Sequence, residues 1–365
     1  MIIQNLKLRN FRNYENIDVS FHPGMNVITG ENAQGKTNLL ESMIYLSLTR
    51  SHRIANEKKL IREDQPFGQI DCTFFDEKEN KNLRAIIHPN GKSLFVNGYA
   101  VKKSSEFIGL LNVVLFAPDD LYLFNDQPRE RRRIMNQEIT KISSSYLLSL
   151  NVYQNLLKER NISLKKESVN EMYIDTLDEK MAEEEVRILK ERKKFTDSIN
   201  SRISDIYRDL AMDDIEVKVE YKSFLKDEIT KENILKVHRE NRTKDMEYHM
   251  TTTGIHREDM IFSINDKNLI QLASQGQKRM VMLAFKMALT EYIQSETGRK
   301  PVFLLDDVLS ELDETRQNRL FEMIQKPYQC FITSTEIPSF IRNRDFHEYV
   351  IRQGNIRDYK GGQYE

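Results

Sequence analysis

Met25-Asn26-Val27-Ile28-Thr29-Gly30-Glu31-Asn32-Ala33-Gln34-Gly35-Lys36-Thr37-Asn38-Leu39-Leu40-Glu41-Ser42-Met43-Ile44-Tyr45-Leu46 changes its pattern twice. A short apolar run ends at Gly30, and after Asn38 the apolar residues recur at helical spacing, so the order is strand, glycine loop, helix. Gly30 to Thr37 fits the G-x-x-x-x-G-K-T pattern at every fixed position. That spacing makes a phosphate cradle. The glycines let backbone N–H groups turn inward, and the helix start adds the positive end of its dipole. Lys36 would sit on the β- and γ-phosphates of a nucleotide and the Thr37 hydroxyl at a Mg²⁺ position, with Glu31, Asn32, Ala33, Gln34 and Gly35 completing the loop.

Two further stretches bear on this loop. Val302-Phe303-Leu304-Leu305-Asp306-Asp307 is an apolar strand that ends in two carboxylates. Running beside the loop's own strand, it would deliver Asp306 to the magnesium and Asp307 toward an attacking water as general base. Ala273-Ser274-Gln275-Gly276-Gln277-Lys278-Arg279 precedes a helical stretch. Ser274 and the Gly276 backbone, at a helix N-terminus, could bind a γ-phosphate; the plain alternative is an ordinary helix cap.

Outside these motifs the chain divides by composition. It has 365 residues with only 13 glycines and 8 prolines, and none of either between Pro128 and Gly254. A stretch that long without turn residues cannot be turn-rich β structure. Apolar residues recur at helical intervals over 146–166 and 178–210 amid dense mixed charge, so Glu183-Glu184-Glu185 and Lys190-Glu191-Arg192-Lys193-Lys194 read as exposed helix faces. A helix of ~33 residues would span ~50 Å. Ile215, Val217, Val219 and Tyr221 alternate with charged residues, however, which is a strand signal and turns the arm into a compact lobe. The expected organisation is a split head, 1–135 plus 250–365, with a mainly helical lobe at 136–249 and a short strand near 215–221. Strands are expected at 69–75, 83–96 with a turn at Asn90-Gly91, 111–116, 330–334 and 347–352, with a hairpin around Asn265-Asp266.

The totals exclude several classes. Formal net charge is -1 at 30% charged residues, so a basic footprint for nucleic acid would have to be local. Two such clusters exist: Arg50, His52, Arg53, Lys58 and Lys59, and Arg129, Arg131, Arg132 and Arg133. Each reads either as a solvated face or as a contact to DNA phosphates. Cys72 and Cys330 form no pair motif and suggest core positions in a reducing, cytoplasmic compartment. No signal peptide and no membrane span is expected.

The P-loop, Ser274-Gln275-Gly276-Gln277, Leu304-Leu305-Asp306-Asp307 and Ser310-Glu311-Leu312-Asp313, in that order with a helical insertion, resemble the ABC-type ATPase head of the SMC and Rad50 group. Asn10-Phe11-Arg12-Asn13-Tyr14, Phe116-Ala117-Pro118-Asp119-Asp120-Leu121, Glu130-Arg131-Arg132-Arg133 and Gly254-Ile255-His256-Arg257-Glu258-Asp259 narrow the resemblance to the RecF family. The resemblance implies an α/β fold, a mixed sheet with flanking helices, and an inserted mainly α-helical lobe. It implies ATP and Mg²⁺ and an ATP-dependent head-to-head homodimer. In that dimer Ser274, Gln275, Gly276 and Gln277 serve the nucleotide of the opposite subunit, Ser310 and Asp313 lie at the seam, and Arg12 lies near the phosphates or base. It further implies DNA binding at gaps or junctions, slow ATP hydrolysis with Lys36 and Asp307 at the reacting phosphate, and work with RecR and RecO to load RecA and support SOS induction.

Three features depart from the wider group. Asp307 stands where a glutamate is usual, Thr333-Ser334-Thr335 stands where a switch histidine is usual, and no glutamine near Pro118-Asp119-Asp120 matches a magnesium sensor. The competing readings are another SMC- or Rad50-like chromosome-maintenance ATPase, a transporter-driving ABC subunit, and a nuclease-coupled or structural SMC-like protein. The long insertion and the Asn10-Phe11-Arg12 opening argue against the transporter. The short arm, without a second acidic cluster, argues against the nuclease.

Overall fold

The computed structural model describes residues 1–124, 127–309, 312–324, 328–342 and 344–360. The chain opens with β1 (Ile2–Phe11), β2 (Tyr14–Ser20), β3 (Met25–Thr29) and α1 (Lys36–Leu48). Next come β4 (Gly68–Phe75), β5 (Asn80–His88), β6 (Gly91–Val96), β7 (Tyr99–Val101) and β8 (Val113–Phe116). The stretch poor in turn residues holds α2 (Pro128–Ile142), α3 (Ser144–Ser163), α4 (Glu171–Ala211), β9 (Val217–Lys222) and α5 (Lys231–Glu247). β10 (Asp259–Ile264), β11 (Lys267–Asn268), α6 (Leu269–Leu272) and α7 (Gln275–Thr297) follow. The chain closes on β12 (Val302–Asp306), α8 (Glu314–Ile324), β13 (Cys330–Ser334), β14 (Phe346–Arg352) and β15 (Asn355–Lys360).

These elements form two compact units. The first takes residues 1–121, 205–214 and 279 to the end of the described chain, and the second takes 122–204 and 215–278. The second unit is thus larger than the expected 136–249 lobe, and it includes the Ser274 loop. The reason is pairing: β10, after the insertion, is antiparallel to β9 within it, and α2 packs on β10, so one core spans the composition boundary.

In the first unit a six-stranded sheet runs in the order β15-β14-β3-β13-β12-β8. β3 and β12 are buried at every residue, as strands covered on both faces must be. The expectation that the Asp306 strand lies beside the phosphate-loop strand is corrected here: β13 lies between β3 and β12, parallel to both. A second sheet, β2-β1-β4-β5-β6-β7, is antiparallel in every pairing. Its β5–β6 turn is Pro89-Asn90, with Gly91 already paired to His88, whereas Asn97-Gly98, both left-handed, makes the next turn. Helix α1 packs against β8, β12 and β13 of one sheet and β5 of the other. It is buried on nearly all sides, including Leu39, Leu40, Met43, Ile44 and Leu46, which is why its apolar residues do not keep to a single stripe. Cys72 and Cys330 are both buried in strands.

The second unit combines α2–α5 with the small sheet β11-β10-β9, whose hairpin turns at Asn265-Asp266. Its charged helix faces are not all exposed. Glu185 and Arg192, two turns apart on α4, share the buried side with Met181, Ile188, Leu189 and Phe195. Arg192 donates to Tyr146 Oη (3.1 Å), the Ile255 carbonyl (2.8 Å), Glu258 (2.9 Å) and Asn136 (3.0 Å). Glu185 pairs with His238 at 2.7 Å, and buried Arg160 pairs with Asp178 (2.6 Å) and Asp245 (2.7 Å). Gly254, at φ +140°, is held so close that a Cβ would lie 2.8 Å from Tyr153 Oη and 2.9 Å from Glu185 Oε1. Among the described residues no helix is long and apolar enough to cross a membrane.

Candidate nucleotide-binding site

The glycine loop joins the end of β3 to the start of α1, where the first backbone N–H groups have no partner within the helix. Gly35, at φ +119°, leaves no room for a side chain: a Cβ would lie 2.5 Å from Asn13 and 3.0 Å from Tyr14 Oη. Those two residues brace the loop. Tyr14 Oη donates to the Gly35 carbonyl at 2.9 Å, Asn13 Nδ2 to the Gln34 carbonyl at 2.8 Å, and Asn38 Nδ2 to Asn13 Oδ1 at 2.8 Å. From the far end of the chain the Gln353 N–H donates to Gln34 Oε1 at 2.6 Å. Lys36 curls back over the loop and donates to the carbonyls of Gly30 (2.5 Å) and Glu31 (2.9 Å). Burial lowers its ammonium pKa, while Asp307 and Asp306 pull the other way.

The two acidic residues at the end of β12, Asp306 and Asp307, face the same loop. Asn32, Ala33, Gly35, Lys36, Thr37, Asn38, Arg53, Asp306, Asp307 and Thr333 together line a cavity of about 230 Å³. Thr37 Oγ1 donates to Asp306 Oδ1 at 3.0 Å, and Thr333 Oγ1 donates to the same oxygen at 2.7 Å. Burial lifts the Asp306 carboxyl above the ordinary aspartate range against the two threonine hydrogen bonds. A larger cleft, about 1360 Å³, shares Gly30, Glu31 and Gln34 with the loop and adds Thr335, Glu336, Arg342, Glu348 and Arg352. Of the Thr333-Ser334-Thr335 stretch that stands in place of a switch histidine, Thr335 faces that cleft.

The other expected site residues divide. Arg12 makes a two-pronged pair with buried Glu41 of α1 (2.8 and 2.9 Å) and donates to the Lys59 carbonyl, so its guanidinium is engaged by the helix below the loop. Burial would raise the Glu41 carboxyl, but Arg12 and Ser51 outweigh it and hold it below the usual range. Arg53 lines the cavity beside the glycine loop, while Arg50 is exposed. Arg131 is buried and grips Asp259 with two hydrogen bonds (2.7 and 2.8 Å), which removes it from any surface a polyanion could reach. Arg132 donates to the Glu258 carbonyl at 2.6 Å, and exposed Arg133 pairs with Glu130 along α2. His256 is half-buried against Tyr153, Nδ1 to Oη at 2.8 Å. Asp120, unassigned from sequence, accepts from the Ala117 N–H at 2.8 Å and pairs with Lys286 at 2.9 Å.

The Ser274 loop, described within its own unit, is a reciprocal cap. The Gln277 N–H donates to Ser274 Oγ (3.2 Å) and the Ser274 N–H to Gln277 Oε1 (3.0 Å) at the start of α7. Ser274, Gln275 and Gly276 are exposed there. Asp313 caps α8 in the same manner, accepting from the Arg316 N–H at 3.0 Å. Ser310 lies outside the described residues. Sequence reasoning missed the bracing by Asn13, Tyr14 and Gln353 and the role of Thr333. Asn13 and Tyr14 stood inside a motif already noted, but a single hydroxyl at a strand end carries no local signal.

The family model described as RecF/RecN/SMC N terminal domain matches residues 2–355. The DNA replication and repair protein RecF of Listeria innocua is 36% identical over 368 residues, which is 98% of this chain and 100% of that protein. The protein of the same name from Clostridium botulinum is 38% identical over 364 residues, again 98% and 100%. The solved structure of the recombination mediator protein RecF-ATP in the RecFOR pathway is similar with a TM-score of 0.91 at 30% identity, covering 98% of this chain and 97% of that one. The Smc head domain of Pyrococcus furiosus is similar with a TM-score of 0.57 at 18% identity, over 98% and 96%, a likeness of fold alone. The α/β head with its inserted helical lobe is therefore the fold that the motifs implied.

Proposed function

This chain belongs to the RecF family of DNA replication and repair proteins, and from that premise we propose that it is an ATP-operated DNA-binding switch of recombinational repair. In this reading Lys36 lies on the β- and γ-phosphates, Thr37 and Asp306 hold Mg²⁺, and Asp307 orients the attacking water. The donor set suits that ion: a hydroxyl and a carboxylate, both oxygen, 3.0 Å apart. Among the described residues no group of three or more His, Cys, Asp or Glu could hold a metal, and magnesium needs none, since it keeps waters and takes phosphate oxygens as further ligands. When bound, the ion supplies charge neutralisation at the β- and γ-oxygens. The chain's own work is to fix the loop, hold the Asp306 carboxylate and place Asp307.

One observation carries the two-chain form of the proposal. Among the described residues nothing requires Gly276 to be glycine: an added Cβ would meet only Ser274 Oγ there, at 3.9 Å. Glycine at an exposed, capped helix N-terminus leaves room for a close approach from outside, and a helix start, with its positive dipole end, suits an anion. We take the visitor to be the γ-phosphate of a nucleotide held by Lys36 and Thr37 of a second copy. ATP then closes two heads face to face, with Ser310 and Asp313 at the seam, and the closed dimer grips DNA until slow hydrolysis releases it. Arg50 and the exposed part of Arg133 are the remaining candidates for phosphate contact. The similar RecF-ATP structure is of a recombination mediator in the RecFOR pathway, which supports a role beside RecR and RecO; a cytoplasmic place, loading of RecA at gaps and support of SOS induction complete the proposal.

Light scattering and DNA binding to duplex, single-strand and junction substrates, with and without ATP, test this reading. The wild-type chain should dimerise with ATP and bind duplex or junction DNA more tightly in that state. Lys36→Ala should lose nucleotide affinity by about 100-fold, as for a charge-assisted contact. Ser274→Ala should keep monomer affinity within about twofold yet fail to dimerise, because Ser274 is proposed to serve the other copy's nucleotide. Equal loss of monomer affinity in both variants would overturn the two-chain arrangement.

A further inference from the structure

In an extended strand successive side chains point to opposite faces. If β12 simply continued, Asp306 and Asp307 would point apart, yet both line the same phosphate cavity. The chain achieves this by turning Asp307 into the left-handed region, φ +54°, a conformation that costs a non-glycine residue some strain and that its neighbours can hold. The holder is on the neighbouring strand. Thr333, paired in register with Asp306 and buried, accepts the Asp307 N–H on Oγ1 at 3.0 Å. The same hydroxyl donates to Asp306 Oδ1 at 2.7 Å. A hydroxyl has one proton, so giving it to Asp306 leaves a lone pair for the Asp307 N–H; each bond fixes the direction of the other.

We propose that Thr333 is the positioning residue of the hydrolytic site, a single hydroxyl that orients the Asp306 carboxylate and locks the left-handed turn that aims Asp307. Thr37 also donates to Asp306, but in the proposed function its hydroxyl serves the cation, which leaves Thr333 to hold the carboxylate. The insertion of β13 between β3 and β12 is what brings this threonine to the site, and it gives the last residues of that strand a task that needs no histidine. The inference rests on the reading of the cavity as a nucleotide and metal site.

The test compares Thr333→Val, near-isosteric and β-branched but without the hydroxyl, with Thr333→Ser, which keeps it. Thr333→Ala serves as a second hydroxyl-free variant should the valine fail to fold, with circular dichroism and Tm as the check. Nucleotide affinity is measured by fluorescence of a labelled ADP across a Mg²⁺ titration, alongside ATP turnover. In Thr333→Val the metal-free affinity should stay within about twofold, the Mg²⁺ half-saturation point should rise about tenfold and kcat should fall about tenfold or more, as for a lost hydrogen bond to a charged group. Thr333→Ser should restore both. Wild-type Mg²⁺ dependence and turnover in the valine variant would overturn the clamp while leaving the nucleotide site intact. Equal loss in valine and serine would also overturn it, since packing of β13 and not the hydroxyl would then be responsible. A wild-type chain whose nucleotide binding ignores Mg²⁺ would instead remove the underlying reading, and the clamp with it.

Discussion

The two units each bury strong charges, and they use them in opposite ways. In the helical unit Arg192 donates to five groups of its own unit, and Glu258, its ion-pair partner, also accepts from Ser223 at 2.8 Å and the Phe224 N–H at 3.2 Å. In the head Lys36 donates, among the described residues, to two carbonyls of its own loop, beside a cavity that it helps to line. A buried charge satisfied on all sides by its neighbours holds elements together, whereas one held by main-chain carbonyls at a cavity wall can exchange them for a ligand's oxygens at little cost. The same contrast separates two glycines. Gly254 is glycine because its own chain crowds it, and Gly276 is glycine although its own chain leaves it open.

The comparison can be broken at several points. The largest effect should come from Arg192→Ala, which strands the buried Glu258 carboxylate: urea unfolding should show a loss of about 3–5 kcal/mol. A loss below 1 kcal/mol would mean that this cluster is not what holds the helical unit together. Gly254→Ala should follow, at about 2–3 kcal/mol, because the left-handed backbone and two sub-3 Å approaches must both relax. Gly276→Ala, the matched control, should shift stability by less than about 0.5 kcal/mol while abolishing ATP-dependent dimerisation. Were both alanines to lower Tm alike, the distinction between crowded and open glycine would fail.

The smallest effect is a pH dependence. Burial alone would lower the His238 pKa, but Glu185 at 2.7 Å outweighs it and raises it above the ordinary imidazole value. A raised folded-state pKa gives stability that is complete below the unfolded value and lost as pH climbs through the folded one. The helical unit should therefore weaken as pH rises from neutral toward mildly alkaline. Two other groups act lower: Glu258, pushed up to about 7 by burial, adds a loss of stability of its own that is complete by about pH 8, and His256, pushed down to about 4 by burial, stays neutral in the folded state throughout. His238→Gln should flatten the slope in denaturant titrations at pH 7 to 9; an unchanged slope would show that another group carries it.

Local chemistry was readable from the chain, and partner choice was not. The phosphate loop and the acid pair at the end of β12 were legible because each is a contiguous run whose function depends on its own backbone geometry. The Ser274 loop was legible as a cap or an anion site, and the structure places it as a reciprocal cap with an open glycine. The charged faces of α4 misled, since Glu185 and Arg192 look like their solvated neighbours until helical phase turns them inward toward Glu258 and His238. Arg131 misled for the same reason: a run of arginines does not reveal that one of them faces Asp259, 128 residues away.

The sequence by itself determined the strand–loop–helix at Gly30, the helical stretch poor in turn residues and the family, because periodicity, glycine spacing and motif order are properties of neighbouring residues. Only the tertiary structure decided that β13 lies between the two motif strands, that Thr333 rather than Ser334 or Thr335 bridges the two aspartates, and that the head–lobe boundary follows strand pairing and not composition. Those outcomes depend on contacts between distant segments, where burial and hydrogen-bond satisfaction, rather than local propensity, select the partner.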